Sequence, residues 1–254
     1  MVLVYCSDVR KPYFENRIKA DIRIIPKIGY TSICKAYNEA IEESEDDLMV
    51  FCHNDIEIYT KDWDIILKRI FDENEELAVL GVVGSNSFSG DSWAGNDCVS
   101  LGMLIQEHKY HVKTPHLLIF SPLFINEDYV SSVTIDGMFI AIRKDRIRAK
   151  FDENINGFHF YDVCFGVDNY LAGAVVGVTY KLIIRHESDG NYDDSWYKIK
   201  NEYIENKYKN ILPIKIPCIF AGNTIGIKWK NSIKDKVFKE INNVRQWARI
   251  NHLR

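Results

Sequence analysis

The apolar run Leu48-Met49-Val50-Phe51-Cys52 ends abruptly in His53-Asn54-Asp55. As a strand of an open α/β sheet, it would leave those three polar residues beyond its carboxyl end, where such sheets keep their ligand crevice. A carboxylate fixed there can hold a hard divalent cation together with diphosphate oxygens, and position selects Asp55 for that role. The competing assignment is a cap on the turn into Ile56-Glu57-Ile58. Asp162, in Phe158-His159-Phe160-Tyr161-Asp162, falls where a helix should begin. It suits either a helix N-cap or a general base that takes the proton of an acceptor hydroxyl. His186, in Ile183-Ile184-Arg185-His186-Glu187, closes another strand. Its neutral imidazole could complete a Mn²⁺ shell begun by Asp55, or serve as a hydrogen-bonded structural group. Gly137 interrupts the strand pattern Thr134-Ile135-Asp136-Gly137-Met138-Phe139-Ile140. A glycine there marks a bulge, a close backbone approach to a ligand, or a relief of packing.

These residues need a scaffold of short apolar runs alternating with helical patterns, the signature of strands covered on both faces by crossover helices. Strands are expected at Val2 to Cys6, Ile22 to Ile25, Leu48 to Cys52, Leu77 to Val83, Val133 to Ile142 and Val175 to Ile184. Ser32 can cap a helix that aligns Ile33, Ala36, Tyr37, Ala40 and Ile41 on one face. Trp63, Ile66, Leu67, Ile70 and Phe71 define a second helix, and Asp162 to Ala172, closed by Gly173, a third. Gly84 to Ser132 reads as a long irregular region covering the substrate, with Trp93 placed either to stack on a sugar ring or to anchor a loop. Ile233, Val237, Ile241, Val244 and Trp247, among lysines and arginines, form a basic amphipathic helix near the end of the chain. Such a helix packs on its own domain or touches an anionic membrane surface.

With 254 residues and 46% hydrophobic content, the chain can bury one large core. The formal charge of −4 supplies no field for wrapping nucleic acid, so neither DNA nor RNA is expected as a partner. Six cysteines without a Cys-x-x-Cys pair suit a reducing compartment, and the N-terminal apolar run stops too soon for a signal peptide. The expectation is a cytoplasmic protein, peripheral to the inner membrane face if the basic helix reaches it.

Taken in order, the motifs resemble the GT-A glycosyltransferases related to family 2, in particular a branch of short bacterial enzymes, over roughly Val2 to Asp194. Ala36-Tyr37-Asn38-Glu39 precedes His53-Asn54-Asp55, and Asp136-Gly137, Phe151-Asp152-Glu153, Tyr161-Asp162, His186 and Asp193-Asp194-Ser195-Trp196 follow in the family's sequence. The resemblance implies an α/β, Rossmann-like GT-A domain over residues 1–194, with a mostly parallel central sheet and flanking helices. A short C-terminal helical extension over residues 195–254 would pack on it. It further implies Mn²⁺ or Mg²⁺ held by Asp55 and His186, with Asp162 as base. Asn38, His53, Asn54 and Gly137 would line the pocket of a nucleotide-sugar donor, a UDP-sugar foremost, with Ser7 and Asp8 at the end of the first strand beside the nucleoside. The acceptor would be a saccharide or lipid-linked saccharide, and direct displacement would invert the anomeric carbon. Four positions depart from the family pattern: His53 replaces the first acid of Asp-x-Asp, Tyr37 an arginine, Cys164 an acid after the base, and Pro26-Lys27-Ile28 the aspartate that relatives place after the second strand to hold the uracil or ribose, a role left to Asp8. His53 keeps open a second reading, a sugar-nucleotide or glycan binding protein of the same fold without turnover.

Overall fold

The computed structural model describes residues 1–18, 21–94, 99–106, 115–188 and 192–217. The chain begins with β1 (Val2–Ser7), α1 (Pro12–Glu15), β2 (Arg23–Ile28), α2 (Ile33–Glu43), β3 (Leu48–Cys52), β4 (Ile56–Ile58) and α3 (Trp63–Glu73). Short strands follow: β5 (Leu77–Gly81), β6 (Val83–Ser85), β7 (Ser87–Phe88), β8 (Ser100–Gln106), β9 (His116–Phe120), β10 (Val130–Ser131), β11 (Thr134–Ile135) and β12 (Phe139–Arg143). Then come α4 (Tyr161–Leu171), β13 (Val175–Val178), β14 (Ile184–His186), α5 (Asp194–Ile199), a π turn, α6 (Glu205–Tyr208) and β15 (Ile214–Lys215).

The central sheet has seven strands in the order β10-β13-β5-β12-β3-β1-β2. Side chains alternate across a strand, so β1 and β3 feed two cores at once. Val2, Val4, Met49 and Phe51 pack with Ala36, Tyr37, Ala40 and Ile41 of α2 on one face. Leu3, Tyr5, Val50 and Cys52 pack with Trp63, Leu67, Ile70 and Phe71 of α3 on the other. Both helices lie where their apolar spacing places them, and the Ser32 hydroxyl accepts the Lys35 N–H as the cap of α2. Cys34, Cys52 and Cys164 are buried free thiols that fill apolar space.

The sheet is mostly parallel, as expected: β2, β1, β3, β5 and β13 run in one direction, and β12 and β10 run against them. β1 pairs in parallel with β2 and β3, and β13 with β5, but β12 runs antiparallel between β3 and β5 and β10 antiparallel to β13. Three apolar runs expected as single strands each divide between two sheets. Leu77 to Val83 becomes β5 and β6, Val133 to Ile142 becomes β11 and β12, and Val175 to Ile184 becomes β13 and β14. The second sheet has the path β11-β6-β8-β14-β4, with β9 pairing β8. Much of it comes from the stretch expected to be irregular: Gly102 to Gln106 faces His116 to Phe120 in an antiparallel ladder.

Strand β14 pairs antiparallel with β4, setting His186 opposite Ile56, the residue after Asp55. Two motifs about 130 positions apart are thereby brought together. Helix α4 does not begin at Asp162. Its N-cap is Phe160 in the left-handed region, with φ 60°, and Asp162 lies in the first turn. Gly173, with φ +85°, follows the helix end as expected. Trp196, Ile204, Tyr208 and Ile214 are buried in the same core as α2 and α4, so the described part of the C-terminal segment packs on the domain. The amphipathic segment expected over 233–249 lies outside the described residues. Among those described, no helix is long and apolar enough to cross a membrane.

Candidate active site

A cavity of about 470 Å³ is lined by His53, Asn54, Asp55, Asp136, Asp162 and His186, together with an aromatic wall. The end of β3 delivers the first three, and Asn54 is tied to β1 by its Nδ2 on the Cys6 carbonyl at 3.3 Å. His186 arrives from β14. His53 Nδ1 lies 3.2 Å from His186 Nε2, and Asp55 Oδ1 lies 3.8 Å from the former and 3.5 Å from the latter. The ligand atoms of these three side chains fall within 4.8 Å of one another. Asp55 Oδ1 is buried and has no hydrogen-bond partner among the described residues. A buried carboxylate oxygen without a partner is costly, which suits a group built to receive a cation.

Electrostatics in this cluster favour ligation. Burial, with the neighbouring His186, pushes the His53 pKa down against the pull of Asp55 and Asp136, so its ring stays neutral with a lone pair to give. Burial pushes Asp55 up, but His186 and His53 outweigh it and hold the carboxyl below its ordinary range. His53 Nε2 is in turn 2.9 Å from the Tyr161 hydroxyl. A ring nitrogen that meets a partner this way fixes which nitrogen is left for a metal.

Asp162 stands beside this cluster with a different environment. Burial, then the charge of Asp136, raises its pKa to about 7, against backbone N–H groups that lower it. One of those is Gly137 N–H, which donates to Asp162 Oδ2 at 2.7 Å. A Cβ at Gly137 would lie 1.9 Å from the Tyr161 hydroxyl oxygen and 3.1 Å from Asp162 Oδ2. The glycine is thus required by the close approach of α4, one of the alternatives its strand position raised. Asp136 is fixed by Met138 N–H on Oδ1 at 2.8 Å and by Trp93 Nε1–H on Oδ2 at 2.5 Å.

Of the residues selected from sequence, His53, Asn54, Asp55, Asp162 and His186 share the cavity lining, and Gly137 touches it through Asp162. Ser7, Asp8 and Asn38 are not among the described lining residues. Ser7 uses its carbonyl on Gly29 N–H, and Asp8 is exposed just past β1. Asn38 is buried and clamps a turn: its amide donates to Phe151 O at 2.8 Å and accepts Phe151 N–H at 2.9 Å. Sequence reasoning passed over Tyr161 and the rings of Phe158, Tyr192 and Trp196. Tyr161 is separable from a core tyrosine only once His53 is seen to need a partner.

The mostly parallel sheet flanked by helices, with a candidate cation cluster at the end of β3 and a buried carboxylate beside it, has the arrangement of a GT-A fold glycosyltransferase. The chain belongs to the Glycosyltransferase like family, which it matches over residues 13–211. Among solved structures, that of GalNAc-T7 with UDP, GalNAc and Mn²⁺ is similar, with a TM-score of 0.51 and 10% identity over 82% of this chain and 43% of that one. The chain therefore spans less than half the length of that relative, and identity at this level shows the fold alone. A197 from STIV aligns with a TM-score of 0.43 and 14% identity, over 74% of this chain and 87% of that one. No curated protein matches in sequence.

Proposed function

We propose that the chain transfers a sugar from a nucleoside diphosphate donor, a UDP-sugar foremost, to a hydroxyl of a saccharide or lipid-linked saccharide, with inversion at the anomeric carbon. The observation that carries this reading is the convergence of His53, Asp55 and His186 beside an Asp162 whose pKa lies near 7. Two imidazole nitrogens and one carboxylate oxygen form a donor set that favours Mn²⁺ over the harder Mg²⁺. The match of this set to a cation rests on the buried, unpartnered Asp55 Oδ1. When bound, such a cation offsets charge on the diphosphate as it leaves. His53, by this reading, is a ligand rather than a lining residue, which answers the replacement of the usual acid and weighs against a binding protein without turnover.

Asp162 takes the acceptor's proton. A carboxylate with a pKa near the working pH balances availability against basicity, and Gly137 N–H aims its Oδ2. Asn54 and the ends of β1 and β3 form the nucleoside side, with Ser7 and Asp8 nearby. The test is Mn²⁺-dependent release of nucleoside diphosphate from a panel of UDP-, GDP- and dTDP-sugars, with a CMP-sugar, which can release only the monophosphate, as the comparison. Asp162→Asn should lower transfer by about 10²- to 10⁴-fold while UDP still binds. Unimpaired transfer by that variant removes Asp162 as the base.

A further inference from the structure

The same cavity carries an aromatic wall that the donor and the base leave unused. Phe158 is 46% exposed and Tyr192 55% exposed, and both line the cavity beside the largely buried Trp196. Surface aromatics of this size are normally free to swing, yet Tyr192 is pinned. Tyr192 meets the Trp196 ring edge-on at 4.9 Å, and Trp196 packs on Phe160 at 5.0 Å. His159 Nε2 lies 3.4 Å from Asp193 Oδ1, which joins the two chain segments a second time. Phe158 itself sits between two left-handed residues, Gly157 with φ 93° and Phe160 with φ 60°. Phe160 has a side chain that disfavours that region, and strain of this kind persists where the surroundings enforce it, often at ligand sites. Phe158 stands four residues before Asp162 in the chain, and the wall opens into the same space.

We propose that Phe158, Tyr192 and Trp196 form the acceptor platform, and that the acceptor it takes is an uncharged saccharide. The inference rests on the glycosyl-transfer reading above and adds the acceptor's chemistry. A rigid aromatic face buries the C–H face of a sugar ring at small entropic cost. Carboxylates accept hydroxyl hydrogens, and Asp55, Asp136 and Asp162 all face this cavity. Among the described residues that line it there is no lysine or arginine. Lys200, 5.3 Å from the Trp196 ring, is engaged by Asp91 at 2.9 Å. Beside the wall, a uronate, sialate, sulfate or phosphate on the acceptor would meet acidic side chains and, among the described lining residues, no side-chain cation, a penalty that an uncharged sugar escapes.

The experiment is binding of the labelled protein, with UDP and Mn²⁺ present, to an array of neutral, uronate-terminated, sialylated and sulfated glycans, run for the native chain and for Phe158→Ala/Tyr192→Ala. Both substituted rings are exposed, and retained UDP binding with Mn²⁺ reports an intact fold. The expected result is binding confined to neutral glycans and weakened about tenfold or more in the double variant. Selection of anionic glycans, binding to none, or equal binding by the double variant overturns the inference while UDP binding still supports the transfer reading. If the native chain binds no UDP with Mn²⁺, the transfer reading fails and this inference with it.

Discussion

The Tyr161 hydroxyl oxygen lies 2.9 Å from His53 Nε2, on the far side of the ring from His186 and Asp55. For His53 Nδ1 to offer a lone pair, Nε2 must carry the proton and donate it to that oxygen. Tyr161→Phe removes the acceptor and leaves the ring free to choose the wrong tautomer. Such partners of metal-bound histidines are worth about 10- to 100-fold in affinity. Mn²⁺ binding by calorimetry should weaken within that range, with the fold retained, since the phenyl ring still fills the same space. Unchanged affinity would mean that His53 takes no part in ligation.

Gly137 is the companion constraint. In Gly137→Ala the new methyl would occupy the place of the Tyr161 hydroxyl. Relief by shifting α4 moves Tyr161 and Asp162 together. Overpacking of this kind costs on the order of 1–3 kcal/mol. Denaturant unfolding should register that loss, and Mn²⁺ affinity and turnover should fall together; a variant of native activity would contradict the close approach.

Asp162 gives a dependence on pH whose sign follows from its environment. Its pKa is raised from the ordinary 3.8 to about 7, so the carboxylate form that accepts a proton accumulates only as pH rises through about 7. kcat/KM should climb across that range. Between 3.8 and about 7 the folded chain holds a proton that the unfolded chain has lost, so this group lowers stability as pH rises through that window. Asp162→Asn should therefore raise Tm relative to the native chain at pH 8 and lose that advantage near pH 4, while turnover drops by about 10²- to 10⁴-fold. A flat rate profile from pH 6 to 8 would contradict this assignment.

Asn38 tests a residue whose sequence position suggested the donor pocket. Its amide satisfies both the N–H and C=O of Phe151, and also donates to Glu153 at 2.9 Å. Asn38→Ala leaves those buried backbone groups without partners, at about 1–3 kcal/mol for each. Thermal unfolding should show a large loss of stability with donor KM little changed in the protein that remains folded. A rise in KM at unaltered stability would return Asn38 to the donor site.

Helices α2 and α3 and strands β1 and β3 were legible because each presents a single uninterrupted period: 3.6 residues in the helices, continuous apolar character in strands buried on both faces. The second sheet was not. In Leu80-Gly81-Val82-Val83 only a glycine, which could equally sit within a single strand, stands where the chain leaves one sheet for the other. At the site, Asp55 and Asp162 could be found because carboxylates at element ends in apolar surroundings stand out. The roles of Tyr161 and Asn38 depend on partners 108 and 113 positions away, and no local pattern encodes those contacts.

The most direct measurement is a thermal-shift titration with UDP and UDP-sugars, with and without Mn²⁺, on the native chain and on Asp55→Asn. A ligand at about 100 times its Kd stabilises the fold by roughly 2.7 kcal/mol, an easily resolved shift. A metal-dependent nucleotide-sugar site at His53, Asp55 and His186 predicts stabilisation by UDP that requires Mn²⁺ and disappears in Asp55→Asn. No Mn²⁺-dependent shift with any nucleotide sugar, or a shift that survives the loss of Asp55, would contradict it.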